Sequence, residues 1–442
     1  MIKQNLRSNV FWFLDMLKGG VLKTHFDEIT DINQNNELTV TREKRASLIR
    51  NLLNHATETT PYYKGIKEFE NIEDFPIISK TVIQDNFEDF RAENYLDKPM
   101  HKVATSGSTG VPFFLYQDAN KKLRNTADTL YFFQKANFNL GERLYDLEVW
   151  RDIHMKSPII SKMQNLIYVD ISRFNDEDIK FFLEKIQEDS SPKNLIGFVS
   201  AFENICLYLD KIESKPLEGL KINSIVAISE FLTSYVKNTM EKYFGVPVVS
   251  RYSNEELGII AQQYPIKGKE EFNINWASYH VEILKMESDF PADAGEMGRI
   301  VITDLFNYCM PIIRYDTGDI STFETLPTKK NPYPVLKRIE GRRMDIVYDT
   351  KGEIISSHVI YTKFYSYYHL LKQYQFIQVA EKEYHVKLNT HSKYFNFEQN
   401  LIQDIQEDFG SDAIVKIILV DEIPALSSGK RKKVMNLFSR KF

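Results

Sequence analysis

The sequence predicts an α/β protein made of a large first part and a small α+β second part. Three observations predict it. The first is a strand, helix and strand in succession over residues 222–249. The second is a change of character near residue 341, after which strand-like runs alternate with polar stretches. The third is length: 442 residues exceed one ordinary domain, since about 100–200 residues per domain gives two to four.

Taken in chain order, the first hundred residues read as helical and polar. Lys3 and Arg7 precede the apolar run Val10, Phe11, Trp12, Phe13 and Leu14, which Asp15 interrupts. A signal peptide needs an unbroken apolar run of about 7–15 residues, so this segment is expected to be a helix packed on the domain, with an amphipathic surface helix as the alternative. Leu48, Ile49, Leu52 and Leu53 lie at helical spacing within residues 41–56. Thr60 and Pro61 then mark a turn. Further on, residues 222–228 form a short apolar strand. Leu232, Tyr235, Val236, Met240, Tyr243 and Phe244 follow on one helical stripe, Gly245 stops the helix, and Val246 opens another strand. Such a unit is expected to be a right-handed parallel βαβ crossover. Ligands of parallel sheets bind at the carboxyl ends of the strands, which directs attention to Ser229 and Tyr252. Beyond residue 341, Phe376 to Val379 and Tyr384 to Leu388 read as strands of a module of about 100 residues.

Composition narrows the function classes. Hydrophobic residues are 43% and charged residues 26%, values of a globular chain. Fifty-six Lys and Arg against 61 Asp and Glu leave a net charge of −5, so no global charge favours nucleic acid or an anionic membrane. Cys206 and Cys309 are the only cysteines, too few for a disulfide scaffold or a four-thiolate metal site. No run approaches the roughly 20 apolar residues of a membrane span. The expected setting is the cytoplasm.

The sharpest local signal is Thr105, Ser106, Gly107, Ser108, Thr109 and Gly110, followed by Val111 and Pro112. Glycines let backbone amides turn inward, and such nests bind phosphate oxygens. Composition alone leaves this hexapeptide between a surface loop and a phosphate cradle. No GxxxxGK[ST] and no strand-linked GxGxxG occurs, so neither P-loop nor dinucleotide fingerprints are present. Lys102 to Ala104 and Phe113 to Tyr116 read as strands, making the loop a hairpin-like lid.

The hexapeptide resembles the phosphate-binding loop of the adenylate-forming superfamily, which includes acyl-CoA ligases, adenylation domains and luciferases. Four further segments match in order. Tyr252, Ser253, Asn254, Glu255, Glu256, Leu257 and Gly258 resemble the family's YGxTExG segment, with Ser253 in place of its Gly. The resemblance implies that Tyr252 stacks on adenine and that Glu256 helps hold Mg²⁺. Residues 310–319, ending Arg314-Tyr315-Asp316-Thr317-Gly318-Asp319, resemble RYxTGD, in which the last acid, Asp319, accepts the ribose hydroxyls. Residues 338–345 resemble the GRxDD hinge. Arg342 stands at the nucleotide-contacting arginine, Met344 at the acid that serves as pivot, and Asp345 at the second acid. Residues 423–430 resemble PxTxSGK, and Lys430 matches the lysine that reaches the carboxylate and the α-phosphate.

These matches span about residues 100–435. The nearest branch is that of phenylacetate–CoA ligase and the capsular-polysaccharide adenylate-forming proteins. Pro76, Ile77, Ile78, Ser79 and Lys80 resemble that branch's N-terminal lPxxxK segment. Ser229 and Glu230 stand where the branch places a small residue and Glu beside adenine, with Ile228 in place of its Gly. The resemblance implies the adenylate-forming fold, with residues 1–341 as a nucleotide- and acid-binding domain and residues 342–442 as a small mobile lid carrying Lys430. It implies an ATP-dependent, AMP-forming ligase with Lys430 and Glu256 as catalytic residues, ATP and Mg²⁺ as cofactors, and CoA as the acceptor. A carrier-protein thiol or an aminosugar amine is the alternative acceptor, and a homodimer is the branch's assembly. A third reading is a degenerate nucleotide-binding protein, to which Ser253, Ile228 and Met344 would belong. For the acid, residues 196–201 resemble the acyl-pocket segment. Phe132, Phe133 and Phe198 are candidate walls of an aryl or medium acyl pocket, and core packing is the alternative for each.

Overall fold

The computed structural model describes the chain outside residues 1, 36–38, 106–112, 151–154, 173, 327, 329–332, 343–346, 356–358, 361–362, 365, 368–369, 425–431 and 439–442. Among the described residues no helix is long and apolar enough to cross a membrane.

Helices α1 (Ile2–Leu17), α2 (Val21–Gln34) and α3 (Thr39–Thr59) open the chain. The helix expected around residues 41–56 is α3, and its Leu52, Leu53 and Ala56 are buried. Helix α1 packs through Phe11 and Trp12, while Phe13, Leu14 and Leu17 stay exposed. A short helix, α4 (Lys80–Asp85), starts at Ser79, whose Oγ accepts from the Val82 amide. Strands β1 (His101–Thr105) and β2 (Phe113–Gln117) pair antiparallel with Thr105 opposite Phe113. The strand-flanked hairpin expected around the hydroxyl-rich loop is therefore present. Residues 106–112 at its tip lie outside the described residues.

After α5 (Ala119–Lys135) comes the central sheet. Its parallel part is β3 (Arg143–Glu148), β4 (Leu166–Asp170), β5 (Lys193–Phe198), β6 (Ile222–Ile228) and β7 (Val248–Asn254). The order β4-β3-β5-β6-β7 continues through β8 (Gly258–Gln262) and β9 (Asn273–Ile274), which pair antiparallel. The crossovers contain α6 (Pro158–Gln164), α7 (Asp176–Glu188), α8 (Val199–Lys211) and α9 (Ser234–Phe244). The predicted βαβ unit is β6-α9-β7, with β6 and β7 parallel. Helix α9 begins two residues later than its apolar stripe because the Thr233 hydroxyl caps Val236 N. It ends at Gly245, which adopts the left-handed conformation a C-cap needs (φ 73°).

A second, antiparallel sheet follows: β10 (Tyr279–Leu284), β11 (Gly298–Asp304), β12 (Tyr315–Phe323) and β13 (Leu336–Arg342). After a small hairpin of β14 (Val347–Tyr348) and β15 (Ile354–Ile355), the C-terminal part forms a sheet in the order β18 (Ile414–Leu419), β17 (Glu383–Thr390), β16 (Leu371–Ala380) and β19 (Val434–Asn436). One apolar cluster runs from α8 and α9 (Phe202, Cys206, Met240, Tyr243) into this sheet (Phe376, Tyr384, Val386, Val434). Both cysteines are free and buried.

Candidate active site

Strand β7 runs at the carboxyl edge of the parallel sheet and delivers Tyr252 beside β12 of the second sheet. The Tyr252 hydroxyl donates to Asp319 Oδ2 at 2.6 Å. Burial and the adjacent Asp319 carboxylate push the phenol well above its ordinary range. Two motif residues 67 apart in sequence thus meet in one hydrogen bond. The turn that aims Asp319 is built locally. Asp316 Oδ1 accepts from the Gly318 amide at 2.9 Å, and Thr317 Oγ1 accepts from the Asp319 amide at 3.1 Å. Gly318 sits at φ 78°, where a Cβ would be strained. Arg299 Nη1 holds Asp316 Oδ2 at 2.9 Å.

Arg314 has a structural job. Its guanidinium forks onto Glu282, with Nη2 to Oε1 at 2.8 Å and Nε to Oε2 at 3.1 Å. Nη1 donates to the carbonyls of Glu73 and Phe75. The clamp ties the N-terminal segment to the start of β12. Ile78 N donates to the Arg314 carbonyl and Asp316 N to the Ile78 carbonyl, so residue 78 lies parallel to Tyr315.

That bridge sets down Lys80 two residues later. Its Nζ lies 4.8 Å from the centroid of the Phe113 ring, the first residue of β2, just past the hydroxyl-rich loop. Burial raises Glu256 above the ordinary carboxylate value, Lys80 opposes that rise, and Asp319 and Glu255 add to it. Lys80, Glu256 and Asp319 therefore share one electrostatic neighbourhood. Sequence reasoning quoted the segment containing Lys80 and gave the residue no role. The signal was there: a lone Lys at the first turn of a helix, where the helix dipole disfavours a cation, so another element must hold it.

Among the described residues no group of three or more His, Cys, Asp or Glu could hold a metal ion. One buried carboxylate, Glu256, still fits Mg²⁺, which is commonly held by one or two carboxylates together with substrate phosphates and water.

Ser229 directly follows β6 and lies in the left-handed region, φ 70°, a strained setting for a non-glycine residue. Glu230 Oε2 accepts from the Ser200 amide at 2.7 Å and so caps the start of α8. Its Oε1 is buried without a hydrogen-bond partner, and burial raises the carboxyl. Lys433 from the last sheet lowers it again. Lys433 Nζ also reaches both oxygens of Glu203 on α8 at 2.5 Å. Lys433 is thereby anchored on α8.

Ser253 continues β7, opposite Ile259 of β8. Arg342 pairs through its backbone with Asp319, which puts the hinge-like segment directly beside the ribose candidate; its side chain is not among those described. Ser106, Gly107, Ser108, Thr109, Gly110, Met344, Asp345 and Lys430 lie outside the described residues, as does the side chain of Thr105. Of the candidate pocket walls, Phe133 and Phe198 join one cluster with Ile196, Val226, Ile228 and Val249. Phe132 is buried instead against α2, with Leu22, Ile29 and Ile32.

The architecture overlays on a 2-hydroxyisobutyryl-CoA ligase in the postadenylation state, in complex with R3-HIB-AMP. The TM-score is 0.69 at 15% identity over 90% of each chain. This is the adenylate-forming fold. The same ligase in the thioesterification state, with 2-HIB-AMP and CoA, overlays at 0.56 over 90% of each chain, also at 15% identity. ATP-bound MatB from Rhodopseudomonas palustris overlays at 0.54, with 13% identity over 75% of this chain and 66% of MatB. Within this adenylate-forming fold, residues 347–437 match the family model of the CapK C-terminal domain. No curated protein sequence matches the chain.

Proposed function

We propose that the chain activates a carboxylic acid with ATP and passes the acyl group to a thiol, with CoA as the acceptor. In the first step a carboxylate oxygen attacks the α-phosphorus, the bond to the β-phosphate oxygen breaks, and pyrophosphate leaves. In the second, a thiol attacks the acyl carbon, AMP departs, and the thiol proton is lost to solvent. The observation that carries the reading is the Tyr252–Asp319 hydrogen bond, with Glu256 and Lys80 alongside. It assembles an aromatic face, a diol acceptor, a buried carboxylate and a cation at one sheet edge. Asp319 binds the ribose, Tyr252 covers the base, and Lys80 meets phosphate charge beside the loop of residues 105–110. Glu256 would hold Mg²⁺, which neutralises phosphate charge when bound. Positioning and electrostatics of this kind account for most of the catalysis in such transfers.

Residues 1–341 and 342–442 form the proposed body and lid. The Lys433–Glu203 contact supports this division, because it ties the C-terminal part to α8 of the proposed body. The higher score against the postadenylation state supports a lid position belonging to the first half-reaction.

The test is pyrophosphate release against a panel of carboxylic acids, with Lys430→Ala in parallel. The variant should lose acyl-adenylate formation and keep thioester formation from supplied acyl-adenylate. Equal loss of both half-reactions would remove Lys430 from its role. The CapK C-terminal match supports a second reading, acyl transfer to an aminosugar amine in surface-polysaccharide synthesis. AMP release stimulated by an aminosugar and not by CoA selects that reading. No pyrophosphate with any acid selects a non-catalytic nucleotide-binding protein.

A further inference from the structure

The face of the parallel sheet that meets α5 bears a polar pair which neither the nucleotide nor the fold uses. The register shows where it lies. Asp146 pairs with Ile196, Ile196 with Val226, and Val226 with Val249, one row across four strands. Two residues further toward the carboxyl edge, Glu148, Phe198, Ile228 and Arg251 form the next row on the same face, since side chains repeat every second residue. Its floor is apolar, made by Phe198, Ile228 and Phe133. Its two ends are charged. At one end the Asp146 and Glu148 carboxyls are hydrogen-bonded to each other. At the other, the Arg251 guanidinium lies over the Phe133 ring at 4.5 Å and donates through Nε to Gln262 at 2.8 Å.

Each end keeps one unanswered atom. Asp146 Oδ1 and Arg251 Nη2 are both buried without a hydrogen-bond partner. Lys156 and, across the row, Arg251 both act on the Asp146 carboxyl, yet no ion pair joins Asp146 to Arg251 among the described residues. Three interstrand spacings of about 4.8 Å separate β3 from β7, so Phe198 and Ile228 lie between the two charged ends. Buried polar atoms are rarely left unpaired. Arg251 directly precedes Tyr252, so this row adjoins the proposed nucleotide site at the carboxyl edge.

We propose that the acid this protein activates carries a second hydrogen-bonding group, a hydroxyl or an amide, held between Arg251 Nη2 and Asp146 Oδ1. Either group fits both ends: its oxygen accepts from the guanidinium and its O–H or N–H donates to the carboxyl oxygen. An alkyl or aryl acid would cover the floor and leave both polar atoms unpaired. The inference rests on the acid-activating reading above and narrows the aryl or medium acyl acid expected from the aromatic residues.

The experiment is pyrophosphate release by the full chain with chain-length-matched acids: alkyl, aryl, hydroxy and amide. Hydroxy or amide acids should exceed the alkyl and aryl acids in kcat/KM by at least about 100-fold, because sites built to bond a polar group reject analogues lacking it. In Asp146→Ala and Arg251→Met that ratio should fall at least tenfold while the KM for ATP stays unchanged. Equal or better turnover of alkyl or aryl acids by the wild type overturns the inference and leaves acid activation standing. So does a polar preference that survives in both variants. Pyrophosphate from no acid overturns the acid-activating reading, and the inference with it.

Discussion

Asp319→Asn tests the ribose assignment most directly. The substitution keeps the shape of the side chain and removes its charge. Asp319 Oδ2 already accepts from Tyr252 at 2.6 Å, and the ribose diol is assigned to its remaining acceptor positions. Hydrogen bonds to charged groups contribute about 1.5–3 kcal/mol, against about 0.5–1.5 for neutral ones. Each ribose bond should therefore lose roughly 1 kcal/mol, and two bonds about 2. At 1.4 kcal/mol per decade, ATP affinity should fall by about 30-fold. The assay is calorimetric titration of wild type and variant with ATP and with inorganic tripolyphosphate, which has no ribose. Tripolyphosphate affinity should change by less than about threefold. Unchanged ATP affinity would refute the assignment, and so would an equal loss for both ligands, because that would place Asp319 at the phosphates.

Lys80→Met is expected to weaken ATP and tripolyphosphate alike, about tenfold or more, which fluorescence or calorimetric titration would reveal; a loss confined to ATP would move Lys80 away from the phosphates. Gly318→Ala meets no atom within 4 Å, so only its φ of 78° is penalised, and denaturant unfolding should show a loss of about 1–2 kcal/mol. Burial and Glu148 raise the Asp146 carboxyl well above its ordinary value. A carboxyl raised in the folded state gives stability that is lost as pH rises through its folded pKa. Asp146→Asn should then match wild type below about pH 4 and exceed it in thermal unfolding at pH 8; a gap that does not grow with pH would contradict this. For Lys433 and Glu203, whose side chains are 20% and 12% exposed, a double-mutant cycle on thermal unfolding should give a coupling of about 1–3 kcal/mol.

Much of this was legible in the sequence because local pattern and tertiary outcome agree. The run over Ile222–Ile228 is apolar throughout and becomes a buried central strand. Gly245 ends α9 where a left-handed residue is needed. Contiguous motifs placed Tyr252, Glu256 and Asp319 before any contact was known. What local pattern cannot encode is which distant elements meet. Phe132 and Phe133 are neighbours on one helix, yet one faces α2 and the other the sheet; helical periodicity separates their directions without naming their partners. Arg314 falls in a segment that resembles a nucleotide-binding motif, and only its bonds to Glu282 and to the Glu73 and Phe75 carbonyls show that it acts as a structural clamp. Asp146 and Arg251, 105 residues apart, become related solely through strand order.

The Lys433–Glu203 pair also bears on how firmly the proposed lid is held. It is a bidentate contact that is mostly shielded from solvent. Such a pair resists separation, and breaking it by removing one partner leaves a charge in a partly dry setting. Rotating both partners back into water is cheaper, because each charge regains hydration as the contact opens. A proposed lid anchored by exchangeable charges can therefore close tightly and still open at each turnover. A wholly apolar seam would forfeit its burial at every turnover. On this reasoning Glu203→Gln should slow the acyl-adenylate step, in which the lid must be closed, more than the acyl-transfer step, in which it has moved. Single-turnover measurement of the two half-reactions would decide it, and equal slowing of both would assign the pair to stability alone.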